Sequence, residues 1–134
     1  MRLAAALMLR CAPDADDHRG VIVSTASMAA FEGQIGQVPY SAATGGVASM
    51  GLATARDLSP SAVRVVAITP GTIFTPAFRL SEDGAQSRWG GTVPFPMRMG
   101  RAIEYAALVE HICDNNYLNS ETVRVDGALR FGPR

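Results

Sequence analysis

Three short apolar runs, rich in Val and Ile, are spaced along the chain between longer stretches whose apolar positions recur at helical intervals. Val21-Ile22-Val23 is bounded by Gly20 and by Ser24–Ser27, Val63–Ile68 stops before Pro70-Gly71, and Glu121–Val125 closes the series. Such runs, bracketed by Gly, Pro or Ser, predict buried strands. Helices are predicted over residues 3–11, over Tyr40–Leu58 with Ser59-Pro60 ending it, and over Ala102–Asp114, where Ile103, Ala106, Ala107, Val109 and Ile112 supply the apolar positions. Residues 72–98 carry Pro76, Gly84, Gly90, Gly91, Pro94 and Pro96. They are expected to form a long irregular excursion, of the kind that often serves as a lid.

Helix, strand, helix, strand, helix, strand is the order of an α/β chain. The alternation implies right-handed crossovers, a Rossmann-type doubly wound parallel sheet, and helices on both of its faces. Sheets of this kind bind ligands outside the carboxyl ends of their strands. Here those ends carry Ser24–Ser27, Pro70–Thr75 and Asp126-Gly127.

Composition narrows the function class. With 134 residues, 48% hydrophobic and 18% charged, the chain has the make-up of one globular domain. Twelve basic residues, all Arg, balance twelve acidic ones, so neither nucleic acid nor an anionic membrane is an expected partner. Cys11 and Cys113 fit no metal-ligand spacing and are expected as free thiols in a reducing compartment. His18 and His111 have no ligating neighbours at metal spacing. The Met1–Leu9 run reads as a helix; a short secretory signal is the alternative, although Arg10 closes the run without a convincing cleavage site. It is far shorter than the roughly 20 residues of a membrane span. A cytoplasmic location is the resulting expectation.

Ser27, Tyr40 thirteen residues on, and Pro70-Gly71 thirty residues later form a pattern that resembles the short-chain dehydrogenase/reductase family. Thr25–Gln37, Val93-Pro94-Phe95-Pro96 and Val125–Ala128 are similar to its type-2 3-hydroxyacyl-CoA dehydrogenase branch, which includes 17β-hydroxysteroid dehydrogenases of the type 10 kind. The resemblance covers the C-terminal half of such an enzyme. It implies NAD(H) as cofactor, and a secondary alcohol or ketone, or an acyl-CoA, as small-molecule substrate. Hydride transfer to a carbonyl creates an alkoxide, which needs a proton donor and a fixed hydrogen-bond partner. The resemblance assigns the partner to Ser27 and the donor to Tyr40. It gives Pro70, Gly71, Ile73 and Thr75 to the nicotinamide carboxamide, through backbone at Ile73 and a hydroxyl at Thr75. Gln37 is implied at the substrate, with a plain loop residue as the alternative, and residues 76–98 are implied as the substrate lid. Phe78, Leu80 and Trp89 are expected to be lid packing.

Two departures weigh against activity. The family places a Lys four residues after its Tyr, on the same helix face, where its charge favours the phenolate and grips the ribose. In this chain that place is Thr44, which offers a hydroxyl and no charge, and no other cation lies between Gly20 and Arg56. The family also has a Gly-rich strand-to-helix turn that holds the pyrophosphate. None precedes Val21, so the expectation is a single partial domain over residues 1–134 that lacks the nucleotide-binding half.

Gly45, Gly46 and Gly51 lie inside the Tyr40–Leu58 helix, each unfavourable by about 1 kcal/mol against Ala. Their presence suggests close backbone approach, either onto the chain's own sheet or across a dimer axis such as the family uses. Without neighbouring strands, Val21–Val23 would present an open apolar edge, which favours association. Two functions are therefore carried forward. One is a short-chain dehydrogenase lacking half its cofactor site and inactive alone. The other is a non-catalytic module, a homo-oligomer or one pairing with a full-length paralogue through the Tyr40–Leu58 helix.

Overall fold

In the computed structural model, which describes residues 1–134, the chain runs α1 (Arg2–Met8), β1 (Gly20–Thr25), α2 (Val38–Leu58), β2 (Val63–Pro70), α3 (Glu82–Trp89), α4 (Ala102–Asp114) and β3 (Thr122–Val125). The strands form one parallel sheet in the order β1-β2-β3. Helices lie on both faces. On one, Ile22, Val63 and Val65 pack with Ala5 of α1 and Ala55 of α2. On the other, Val66 and Ile68 pack with Ile112 of α4, flanked by Val21 and Val23. This is the Rossmann-like α/β arrangement implied by the alternation of elements.

β2 is central and buried from Val63 to Thr69, as expected for a strand covered on both sides. Arg64 interrupts its apolar run and is still buried. Its guanidinium donates to the Leu118 carbonyl at 2.8 Å, the Cys113 carbonyl at 3.0 Å and His18 Nε2 at 2.9 Å. Cys113 lies in the last turn of α4, so the cation satisfies a carbonyl that the helix itself leaves unpaired. Burial pulls the guanidinium pKa below its ordinary value.

Among the differences from the sequence expectation, three have a local reason. α1 stops at Met8 because Arg10 and Cys11 donate to the Leu7 and Met8 carbonyls at 3.0 Å, tightening the last turn. β2 runs on to Pro70 because the ladder bond at that point is donated by Gly71 to the Val125 carbonyl at 3.0 Å, so proline's missing N–H is not required. The stretch 72–98 is not irregular throughout, since α3 lies within it. The Ser81 hydroxyl caps α3 by accepting from Gly84 N at 3.2 Å, and Glu82 and Asp83 occupy the first turn.

β1 pairs with β2 alone, and its second edge has no strand beside it. Leu3 and Leu7 of α1 are 75% and 62% exposed, so the helix next to that edge shows apolar surface as well. No helix is long and apolar enough to cross a membrane.

Candidate active site

The carboxyl end of β1 leads into Ser27, whose extended backbone caps the 3-10 turn Met28–Ala30; its Oγ accepts from Ala29 N at 3.2 Å. A loop then enters α2 at Gln37, the N-cap. Gln37 Oε1 accepts from Gln34 N at 3.2 Å, which fixes the side chain. Pro39 fits the first turn of α2, where an amide proton is not needed. That places Tyr40 at the head of the helix, 52% exposed. Ser27, Gln37 and Tyr40 line one cleft of about 550 Å³, together with Gly71 and Thr72 from the end of β2.

Thr44 lies one turn along α2 and is buried. Its Oγ1 donates to the Tyr40 carbonyl at 2.9 Å, a back-bond common for Thr inside helices. It is not among the residues that line the cleft. Ser27, Gln37 and Tyr40 are thus brought together, and Thr44 is left out of the group.

Pro70, Gly71, Ile73 and Thr75 line a second cleft of about 300 Å³ with Thr25, Ala102 and Tyr105. Thr25 Oγ1 and the Tyr105 hydroxyl lie 2.6 Å apart at its wall. Gly71 borders both clefts. A Cβ on Gly71 would sit 2.7 Å from Asp126 Cα, so glycine is required for β2 to pass β3 this closely. Ile73 bridges Gly100 through its neighbours: Phe74 N donates to the Gly100 carbonyl at 2.9 Å and Gly100 N to the Thr72 carbonyl at 3.0 Å. The Ile73 N–H and C=O therefore have no backbone partner.

An ion-pair network that the sequence did not reveal stiffens one wall of the first cleft. Arg124 of β3 reaches Glu32 Oε1 at 2.8 Å and Asp126 Oδ2 at 2.7 Å. Arg130 meets the same two carboxylates at 3.4 and 3.1 Å. The Arg124 hydrogen bond, then the Phe131 N–H, holds the Glu32 carboxyl below the usual range, and Glu32 in turn raises the Arg124 pKa. Glu32 and Arg124 are 92 residues apart, and no local spacing signals such a pair. The C-terminal segment is tied to the loop before α2: Phe131 N donates to Glu32 Oε2 at 3.1 Å, Ile35 N to the Pro133 carbonyl at 3.0 Å, and Gln34 Nε2 to the Gly132 carbonyl at 3.3 Å.

Over the other wall, the Phe78 and Trp89 rings pack with centroids 4.9 Å apart, and both line the cleft. Leu80 is exposed and outside it.

The sequence pattern of the short chain dehydrogenase family matches residues 1–85. The chain belongs to that family. The 3-hydroxyacyl-CoA dehydrogenase type-2 of Rattus norvegicus is 47% identical over 133 residues, which are 99% of this chain and 51% of the rat protein. The human protein of the same name shows the same identity and coverage. The crystal structure of 3-hydroxyacyl-CoA dehydrogenase type-2 from Mycobacterium avium superposes with a TM-score of 0.93 at 43% identity, over 99% of this chain and 51% of that one. The chain thus spans about half the length of the short-chain dehydrogenases it matches.

Proposed function

We propose that this chain is the substrate-binding half of an NAD(H)-dependent short-chain dehydrogenase for a 3-hydroxyacyl-CoA or related secondary alcohol, and that it does not turn over alone. The observation that carries the reading is the shared cleft of Ser27, Gln37 and Tyr40, with Gly71 joining it to the cleft of Pro70, Ile73 and Thr75. In it Ser27 Oγ orients the substrate oxygen, Tyr40 passes the proton at its hydroxyl, and Gln37 positions the substrate from the mouth of α2. Phe78 and Trp89, in the 76–98 lid, exclude water from the apolar part of the substrate.

The residues present fit the nicotinamide end of the cofactor. The unpaired Ile73 N–H and C=O, with the Thr75 hydroxyl beside them, suit a planar carboxamide, which is both donor and acceptor. When bound, NAD(H) supplies the hydride. Residues 1–134 hold no strand–glycine-turn–helix unit for the pyrophosphate, and Thr44 brings no cation to the ribose, which supports inactivity of the isolated chain.

The test is an NMR titration of the ¹⁵N-labelled chain with an acetoacetyl thioester and with NADH, beside a turnover assay. Expected are shifts at Ser27, Gln37 and Gly71 with the thioester, NADH binding no tighter than reduced nicotinamide mononucleotide, and no NADH oxidation. Turnover would overturn the inactivity. A thioester that leaves those three resonances unmoved would overturn the substrate site.

One observation favours association through α2 as a second role. A Cβ at Gly46 would meet nothing within 4 Å, so the chain's own packing does not explain this exposed helix glycine. Met50 and Leu52 are each 46% exposed on the same helix. Sedimentation of the chain alone, and with a full-length relative, tests this; a monodisperse monomer under both conditions excludes it.

A further inference from the structure

We infer that Gln34 is a positioning residue of the Ser27–Tyr40 cleft, which acts through Gln37 and presents that side chain to the ligand as a hydrogen-bond donor. This rests on the reading of the cleft as a substrate site and deepens it.

Gln34 and Gln37 are three residues apart in the turn that leads into α2, and both line the cleft. An amide side chain accepts at its oxygen and donates at its nitrogen, so its two ends are alike in shape and opposite in chemistry. The groups around it decide which way it points. The Gly132 carbonyl only accepts, and Gln34 Nε2 donates to it at 3.3 Å. That turns Gln34 Oε1 toward Gln37, whose Nε2 donates to it at 3.5 Å. The Gln34 backbone N–H only donates, and Gln37 Oε1 accepts from it at 3.2 Å. Side chain and backbone of the same residue thus select one orientation of the Gln37 amide. The second Nε2 proton of Gln37 has no protein acceptor and is left for the ligand.

The turn is held on both sides. Toward α2, Gln37 N donates to the Gln34 carbonyl at 3.0 Å and Ser41 N to the Gln37 carbonyl at 2.7 Å. Toward the C-terminal segment, Ile35 N donates to the Pro133 carbonyl at 3.0 Å, beside the Gln34–Gly132 bond. That segment is itself anchored to β3, because Phe131 N donates to Glu32 Oε2 at 3.1 Å and Arg124 bonds Glu32 Oε1 at 2.8 Å. Gln34 is the side chain through which this wall reaches Gln37. A donor oriented before the ligand arrives loses little further freedom on binding.

Trp89 is the sole tryptophan and lines the cleft, so its fluorescence reports occupancy without any need for turnover. Wild type, Gln34→Leu, Gln37→Leu and the double variant, each as the full chain, would be titrated with the acetoacetyl thioester of N-acetylcysteamine. Gln34→Leu should weaken binding about fivefold, the worth of one ordinary hydrogen bond. In the Gln37→Leu background the same change should weaken it less than about twofold, because a residue that acts through another has nothing left to act on. The Gln37 side-chain amide should also move in the ¹⁵N spectrum of ligand-free Gln34→Leu, which a loss of stability alone does not produce. Gln34→Glu keeps the length of the side chain, but its carboxylate cannot donate to the Gly132 carbonyl. It should repeat the pattern, and it serves where the leucine variant does not fold. Equal losses in both backgrounds, no loss in either, or an unmoved Gln37 amide overturns the inference and leaves the substrate cleft standing. So does a Gln37→Leu chain that binds as tightly as wild type. A wild-type chain that does not bind the thioester removes the inference and the functional reading together.

Discussion

The Thr44 hydroxyl donates to the Tyr40 carbonyl at 2.9 Å, inside the helix that presents Tyr40 to the cleft. The residue four places after the tyrosine therefore serves the helix and contributes nothing to the cleft. Thr44→Val, which keeps the shape and removes the hydroxyl, is expected to change stability by no more than about 1 kcal/mol, the scale of one ordinary hydrogen bond. It should leave thioester affinity unchanged. Chemical denaturation and Trp89 fluorescence check both; a severalfold loss of affinity would place the hydroxyl at the ligand after all.

Gly71 is expected to be intolerant. A Cβ there would lie 2.7 Å from Asp126 Cα, which is backbone and cannot swing away. Gly71→Ala should destabilise by about 1–3 kcal/mol, the range for forced overpacking. It should also widen the gap between β2 and β3 at the point where the two clefts join. Urea unfolding is the measurement, and a midpoint equal to wild type would contradict the close approach.

Gly46 should behave in the opposite way. With nothing within 4 Å of its Cβ position, Gly46→Ala should stabilise the isolated chain by about 0.5–1 kcal/mol through helix propensity alone. If α2 is a docking face, the same change should weaken association. Thermal unfolding together with sedimentation separates the two effects, because only the second depends on a partner backbone.

Acid should release the start of α4. Arg98 holds Glu104 at 2.9 and 2.6 Å, and the Arg101 N–H donates to it at 2.7 Å. These bonds, Arg98 first, lower the Glu104 pKa from 4.5 to about 2. A carboxyl depressed on folding contributes its stability above the unfolded value and loses it as pH falls through the folded one. Stability should therefore decline between about 4.5 and about 2, and Glu104→Gln should flatten that part of the profile. The pair is partly exposed, with side-chain exposures of 30% and 41%, so the effect is modest and shrinks with salt. Identical wild-type and variant profiles across that window would contradict it.

What the sequence determined on its own was the α/β order and the three strands, with Ser27 and Pro70–Thr75 at strand ends, whereas the choice of Ser27, Gln37 and Tyr40 as site residues is what the family resemblance implies. The order and the strands follow from local signals, namely β-branched runs bounded by Gly, Pro or Ser and apolar positions at helical intervals. α3 was hidden because Gly84 and the surrounding prolines masked a Ser81-Glu82-Asp83 start that was nonetheless present. Tertiary structure alone decided the rest. It buried Arg64 in an apolar strand against the end of α4, and it paired Glu32 with Arg124 across 92 residues. It also folded Arg130 and Arg134 over the cleft of Tyr40. The physical reason is range. Strand and helix periods act over a few residues, whereas a guanidinium finds its carboxylate through space, and no spacing along the chain records that meeting.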